Sequence, residues 1–176
     1  MSDLVSNVLD LVRLESGQVA LRRDWQTLDD LVGSALAVCR ERLAPRSVEL
    51  SVSPDLPPVW VDATLIVQVF VNLFDNIAKY TPPQTRVMVS AVLGVDGESL
   101  RVAVDDDGPG LPEGDPARLF AKFQRGTGEG TVAGVGLGLA ICQAIVRAHG
   151  GEIEAQRREA GGARFTFTLP ATEGPA

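Results

Sequence analysis

A chain of 176 residues, 45% apolar and 22% charged, is ordinary for one soluble globular domain with a real core. Its net charge of −7 and pI of about 4.7 speak against nucleic acid or an anionic membrane surface as partner. Phosphate stays open to an acidic chain, because backbone N–H groups and a metal ion neutralise an anion locally. Cys39 and Cys142 lie far apart in helical patterns and read as buried apolar residues of a reducing compartment, while no signal peptide or bilayer-length apolar run is visible.

Residues 2–17 form an amphipathic pattern with Leu4, Val8, Leu11 and Val12 on one face and Gly17 as the stop. "QVALRRDW" reads weakly as a strand. The next helix, "TLDDLVGSALAVCRERLAPR", has Thr27 as N-cap, Asp29 and Asp30 in its first turn and Pro45 past its end. "SVELSVS" and "PVWVD" are short strand candidates, and "ATLIVQVFVNLFDNIAKYTPP" is a helix closed by a double proline. "TRVMVSAVLG" and "SLRVAVDDD" are apolar strands joined through Asp96-Gly97, a hairpin signal. Residues 108–134 are dense in Gly and Pro and read as a long loop of the functional kind. A helix over 136–149 follows with Gly150 past its end, and "GEIEAQRR" with "ARFTFTLP" closes the domain as a hairpin. Helices mixed with antiparallel hairpins predict an α+β two-layer sandwich, its sheet mostly antiparallel with helices on one face.

Three stretches carry polar residues that packing alone does not require. In "NLFDNIAKY", a 100° step gathers Gln68, Asn72, Asp75, Asn76 and Lys79 into one arc opposite Ile66, Val69, Phe70, Leu73 and Ile77. A solvated surface is the plain reading, but Asn is a poor helix former, and an Asn carbonyl suits Mg²⁺ that keeps waters and phosphate oxygens as its other ligands. In "VDDDGPGLP", Gly108 and Gly110 admit a flat ligand close to the backbone, and Asp106 is placed to accept from an exocyclic amine such as adenine N6; a tight turn is the alternative. In "GVGLGLAICQAIVRAHGG", Gly134, Gly136 and Gly138 leave backbone N–H groups at a helix start free to face an anion. Neither a Walker A loop nor a dinucleotide fingerprint fits there, since no Gly-Lys-Ser/Thr follows and Leu139 stands in the last glycine's place.

In order and spacing, Asn-x-x-x-Asn-x-x-Lys-Tyr, Asp-x-Gly-x-Gly, Phe-x-x-Phe and Gly-x-Gly-Leu-Gly-Leu together resemble the ATP-binding catalytic domain of sensor histidine kinases. That domain shares its superfamily with gyrase, Hsp90 and MutL. The resemblance runs from about Trp25 to Pro170, and the wording of "LFAKFQRG" and "VLDLVRLESG" is similar to the potassium-responsive branch of the family. The fold it implies is the Bergerat ATP-binding sandwich, with ATP and Mg²⁺ as cofactors. By similarity, Asn76 ligates the metal, Asn72 lies beside the phosphates, Lys79 contacts phosphate and Tyr80 lines the nucleotide site. Asp106 binds adenine N6 and Gly108 and Gly110 shape the pocket. Residues 111–135 become a lid anchored by Phe120 and Phe123. Lys122 and Arg125 reach the γ-phosphate, and Gly134, Gly136, Leu137, Gly138 and Leu139 close over the triphosphate.

Hydrolysing members of that superfamily carry a water-activating Glu four residues before the metal Asn. Asn72 stands here and cannot act as a base at neutral pH, which favours transfer to a side chain. Three positions depart from the pattern: Ile77 for Ala, Asp107 for Asn, and Ala163 for Ser or Thr.

The sole histidine, His149, ends a helix before Gly150-Gly151 and lacks the context of a phosphoacceptor; a structural role at the last carbonyls is expected. Residues 1–17 resemble the tail of the second dimerisation helix, 18–172 the catalytic domain, and 173–176 a frayed tail. The implied partners are a dimerisation domain bearing the acceptor histidine and a response regulator, within a homodimeric, membrane-anchored parent whose catalytic portion is cytoplasmic. A serine kinase of the anti-sigma-factor type, a nucleotide-sensing module without transfer, and a steadily hydrolysing ATPase are the rival readings.

Overall fold

The computed structural model describes residues 2–122 and 136–172. Its elements are α1 (Ser2–Glu15), β1 (Asp24–Gln26), α2 (Leu28–Leu43), β2 (Ser47–Ser51), β3 (Val59–Val61), α3 (Ala63–Tyr80), β4 (Arg86–Leu93), β5 (Ser99–Asp106), a 3₁₀ turn (Pro116–Phe120), α4 (Gly138–Ala148), β6 (Ile153–Arg157) and β7 (Ala163–Pro170). Five strands form one sheet in the order β2-β4-β5-β7-β6, with β2 parallel to β4 and every other pair antiparallel. β1 and β3 pair separately, with Trp25 opposite Trp60 and their rings tilted at 5.2 Å.

Alternation along the strands separates the two faces of the sheet. Val87, Val89, Val102, Val104, Phe165, Phe167 and Leu169 are buried toward α2, α3 and α4, so the helices lie on one face as expected. The other face holds Arg101 bonded to Glu154 and Arg164 bonded to Asp105, with Met88 and Val92 exposed beside them. Phe70 joins α3 to the sheet by meeting Phe74 at 6.1 Å and Phe167 at 5.4 Å. The Asp96-Gly97 hairpin forms, with Leu93 opposite Leu100 and Gly97 at φ +69.

Helix ends follow their capping chemistry. Thr27 accepts from the Asp30 N–H at 3.3 Å to start α2, and Asp62 accepts from Leu65 N–H at 3.3 Å to start α3. The far end of α3 is closed from outside by Arg46, whose guanidinium donates to the Thr81 hydroxyl and the Ala78 carbonyl, both at 3.0 Å, and to the Thr81 carbonyl.

Four local expectations are corrected. The strand over "QVALRRDW" shrinks to Asp24–Gln26, because only Trp25 and its neighbours find a partner in β3. α4 begins at Gly138, since Gly136 adopts φ +71. In α1 it is Leu11 and Leu14 that are buried, while Val12 is exposed with Val5 and Leu9; the helix is rotated to put its 11–14 edge on α4. Asp75 leaves the polar arc of α3 for α2, where Arg42 Nε meets it at 2.9 Å.

Candidate functional site

α3 buries Ile66, Val69, Phe70, Leu73 and Ile77 against the sheet and its neighbours, which fixes the rotation of the helix. Asn72 and Asn76 are thereby half-buried one turn apart, with Lys79 and Tyr80 exposed beyond them. Asn72 Nδ2 donates to the Gly138 carbonyl at 3.3 Å, joining the amide face of α3 to the start of α4. A Cβ at Gly138 would make ordinary contact with the Asn72 side chain at 4.0 Å. Of α2, α3 and α4, only α4 starts without a side-chain cap, its N-cap being the buried Leu137. Its first amides are open to an anion.

Asp106 ends β5 with its side chain on the helix-facing side, 5% exposed. One carboxylate oxygen accepts from Gly108 N–H at 3.0 Å. Burial pushes the carboxyl above its ordinary pKa; the Gly108 and Ala163 amides and the Arg158 charge pull it back, and Asp107 adds to the rise. Two of the surrounding glycines leave no room for a Cβ, and the third has a left-handed backbone. A Cβ at Gly108 would meet Thr81 Cγ2 at 2.7 Å, and one at Gly162 would lie 1.9 Å from the Asp106 carbonyl oxygen. Gly110, at φ +88, faces the Gly162 carbonyl, at 3.4 Å from its ideal Cβ. Asp107 turns outward and accepts from Arg86 N–H at 2.6 Å, so it braces the strand end and not the pocket.

The long loop leaves β5 under control of side chains from β6 and α1. Arg157 donates to the Pro112 and Gly114 carbonyls, the second at 3.0 Å. Phe120 is buried at the end of the 3₁₀ turn, edge-on to Phe165 at 6.4 Å, so it anchors the loop. Lys122 Nζ pairs with Glu15 of α1 at 2.8 Å, both side chains half exposed. Phe123, Arg125 and Gly134 lie outside the described residues, as does most of the lid. Gly136 and Leu139 flank the buried Leu137 at the loop's return.

His149 lies elsewhere, 3% exposed, at the opposite end of α4. Its Nδ1 bonds the Ile145 carbonyl at 2.8 Å and its Nε2 accepts from Asp62 N–H at 3.0 Å. Those partners fix the neutral Nδ1–H tautomer. Burial lowers its pKa, with Arg23 acting in the same direction against the Ile145 carbonyl and Asp62. Both ring nitrogens are occupied, so the structural role expected at the helix end is what the geometry has. Cys39 and Cys142 are likewise free and buried, and desolvation pushes the Cys142 thiol up to about 12.

Sequence reasoning missed the residues that hold Asp106 from behind. Arg158 donates to the Asp106 carbonyl at 3.0 Å and the Gly161 carbonyl at 3.3 Å, and Asp105 is gripped by Nε and Nη2 of Arg164, each at 2.7 Å. The Gly161-Gly162 pair was a visible signal of close approach, without saying what it approached.

The arrangement was compared with known proteins. Residues 61–173 match the family described as histidine kinase-, DNA gyrase B-, and HSP90-like ATPase. The sensor protein KdpD of Escherichia coli is 45% identical over 172 residues, covering 98% of this chain and 19% of KdpD. The chain therefore spans about a fifth of that relative's length. Full-length ShkA in complex with AMPPNP superposes with a TM-score of 0.83 at 28% identity, over 98% of this chain and 36% of ShkA. The catalytic domain of histidine kinase ThkA gives 0.73 at 27%, over 86% of this chain and 99% of that domain; ThkA in complex with response regulator TrrA gives 0.73 at 25%, over 97% and 49%. No helix among the described residues is long and apolar enough to cross a membrane. With the amide face of α3, the buried Asp106 and the open start of α4 on one side of the sheet, the chain belongs to the histidine kinase-, DNA gyrase B- and HSP90-like ATPase family.

Proposed function

We propose that this chain is the catalytic part of a sensor histidine kinase, binding ATP and passing its γ-phosphoryl to a histidine outside these 176 residues. The observation that carries the reading is the setting of Asp106: a buried carboxylate at a strand end, with Gly108, Gly110 and Gly162 letting the backbone pack closely around it. Asp106 accepts the adenine N6–H there, and Tyr80, exposed at the end of α3, lines the nucleotide site.

The donor set fits a metal that arrives with phosphate. Two neutral amides stand one turn apart with Lys79 beyond, and among the described residues no group of three or more His, Cys, Asp and Glu could hold a metal by itself. Asn76 would ligate Mg²⁺, which supplies charge neutralisation on the phosphate oxygens when bound. Asn72 orients the phosphates and holds the start of α4. Lys79, Lys122 and Arg125 carry positive charge toward the transferring group, and Gly134, Gly136, Leu137, Gly138 and Leu139 offer backbone N–H groups or pack behind them. In the transfer, a ring nitrogen of the acceptor histidine forms the P–N bond with its lone pair. ADP departs with the electron pair of the broken P–O bond. With Asn72 where a base would stand, the site favours transfer to a side chain over rapid hydrolysis.

Residues 1–17 are the end of a dimerisation helix, 18–172 the catalytic domain and 173–176 a tail. The partners are the dimerisation domain of the same kinase, within a homodimer, and a response regulator such as ThkA meets in TrrA. The parent is a membrane-anchored bacterial sensor whose catalytic portion is cytoplasmic, as in the potassium-responsive kinases of the KdpD type. Incubating the chain with γ-labelled ATP and Mg²⁺, with and without an acceptor-bearing dimerisation domain, tests all of this. Label on the added histidine supports the reading. Steady phosphate release without acceptor, or label on a serine, overturns it.

A further inference from the structure

Behind Asp106, on the opposite face of the sheet, lies a charged cluster. Asp105 points to the sheet face opposite Asp106 and is 5% exposed. Arg164 holds it with two bonds of 2.7 Å, and Arg158 Nε lies 4.0 Å from its second oxygen. Arg158 in turn donates through Nη1 to the carbonyls of Asp106 and Gly161. The β6–β7 turn that carries it is closed by Arg158 N–H to Gly162 O at 3.1 Å and Gly161 N–H to Arg158 O at 3.0 Å. Gly162 sits against the Asp106 carbonyl with no room for a Cβ. One guanidinium thus ties three things together: the back of Asp106, the tip of the turn, and a buried carboxylate oriented by a second guanidinium.

We propose that Arg158 is a positioning residue for base recognition, with Asp105 and Arg164 fixing its fork, so that this chain selects an adenine nucleotide through the aim of the Asp106 carboxylate. The inference rests on the reading of Asp106 as the acceptor of the exocyclic amine. The last peptide of β5 is held on its N–H side by Asp107 N–H to Arg86 O at 3.2 Å, and Arg158 Nη1 adds one bond to its carbonyl from the other side. Without that bond the peptide can tilt, and a misdirected carboxylate loses a directional, charge-assisted bond. The positive charge also opposes the effect of burial on Asp106, whose other charged neighbour, Asp107, acts in the opposite sense.

The test compares Mg²⁺-ATP with Mg²⁺-ITP, which differ at the base in the amine that Asp106 would accept. Wild type is expected to prefer ATP by about tenfold or more, the value of one satisfied against one orphaned polar contact. Arg158→Met should lower ATP affinity by about tenfold, leave ITP affinity unchanged and collapse the preference, while the melting temperature reports that the fold survives. It should also move the acidic limb of ATP binding to higher pH. Arg158→Lys restores the charge and hence the pH limb, without restoring the two-carbonyl grip, and so recovers the preference only in part. Asp105→Asn, which loosens the fork, is expected to fall between wild type and Arg158→Met. Equal losses for ATP and ITP, or a preference unchanged in Arg158→Met, would show a clamp on the turn alone and overturn the proposal. A wild type that binds ATP but does not separate it from ITP overturns the role of Asp106 itself, and a wild type that binds neither overturns the proposed function.

Discussion

His149 and Asp106 are the same kind of anomaly met in two different settings. Each is a titratable side chain almost fully buried, at 3% and 5% exposure, and in each burial shifts the pKa toward the neutral form. His149 has a protein partner on both ring nitrogens and sits where α4 ends against the start of α3. Asp106 meets only backbone amides, Gly108 N–H at 3.0 Å among them, and no side-chain partner, and a Cβ at Gly108 or Gly162 would clash beside it. Burial therefore does not mark a functional group. What separates the two is whether the protein has used up the group's hydrogen-bonding capacity.

The sharpest way to break this comparison is to change the charge of the site and leave its shape alone. Asp106→Asn, and separately Asn76→Asp, should reduce nucleotide affinity by about a hundredfold or more, roughly 3 kcal/mol, as a mispaired polar contact does. Unfolding of both variants should stay close to wild type. Titration calorimetry with and without Mg²⁺ reads the first quantity and a melting curve the second; unchanged ATP affinity in both variants would remove this site from consideration.

His149→Ala should give the mirror image. It deletes two buried hydrogen bonds and leaves a cavity, costing about 2–4 kcal/mol of stability in urea denaturation, while the folded fraction keeps its nucleotide affinity. If affinity falls and stability holds, the assignment of the two settings is inverted.

Acid sharpens the same point with a smaller effect. The folded-state pKa of His149 lies below its unfolded value, so the stability it contributes is complete above the unfolded value of about 6.5 and declines as pH falls through it. Denaturation series at neutral pH and near pH 5.5 should therefore show a loss in wild type that is reduced in His149→Phe.

The smallest effect is expected at Glu15→Gln. Its pair with Lys122 is half exposed on both sides and contributes at most about 1 kcal/mol, so releasing the lysine should raise nucleotide affinity by no more than about fivefold. No change at all would mean that Lys122 does not reach the phosphates.

What the sequence made legible was what a single period or turn residue dictates. The apolar face of α3 and its amides, the Thr27 cap, the Asp96-Gly97 hairpin and the glycines around Asp106 all follow from local rules, and the structure has them. Partners distant in sequence were not legible. Nothing local to α3 says that Asp75 will turn to Arg42 of α2, and nothing in "EAQRREAGG" says that its second arginine will grip a peptide carbonyl 52 residues earlier. The rotation of α1 is not legible for a related reason: Val8, Leu11, Val12 and Leu14 all suit an apolar stripe, and only α4 decides which of them is covered.

The closure of α3 by Arg46 has an electrostatic consequence for the proposed site. The amides and Lys79 lie toward the carboxyl end of that helix, the pole whose carbonyls carry partial negative charge and would repel a polyanion. By drawing the Ala78 and Thr81 carbonyls onto a guanidinium, Arg46 blunts that field where a triphosphate would approach, so a helix offering its wrong pole can still work alongside the amino pole of α4.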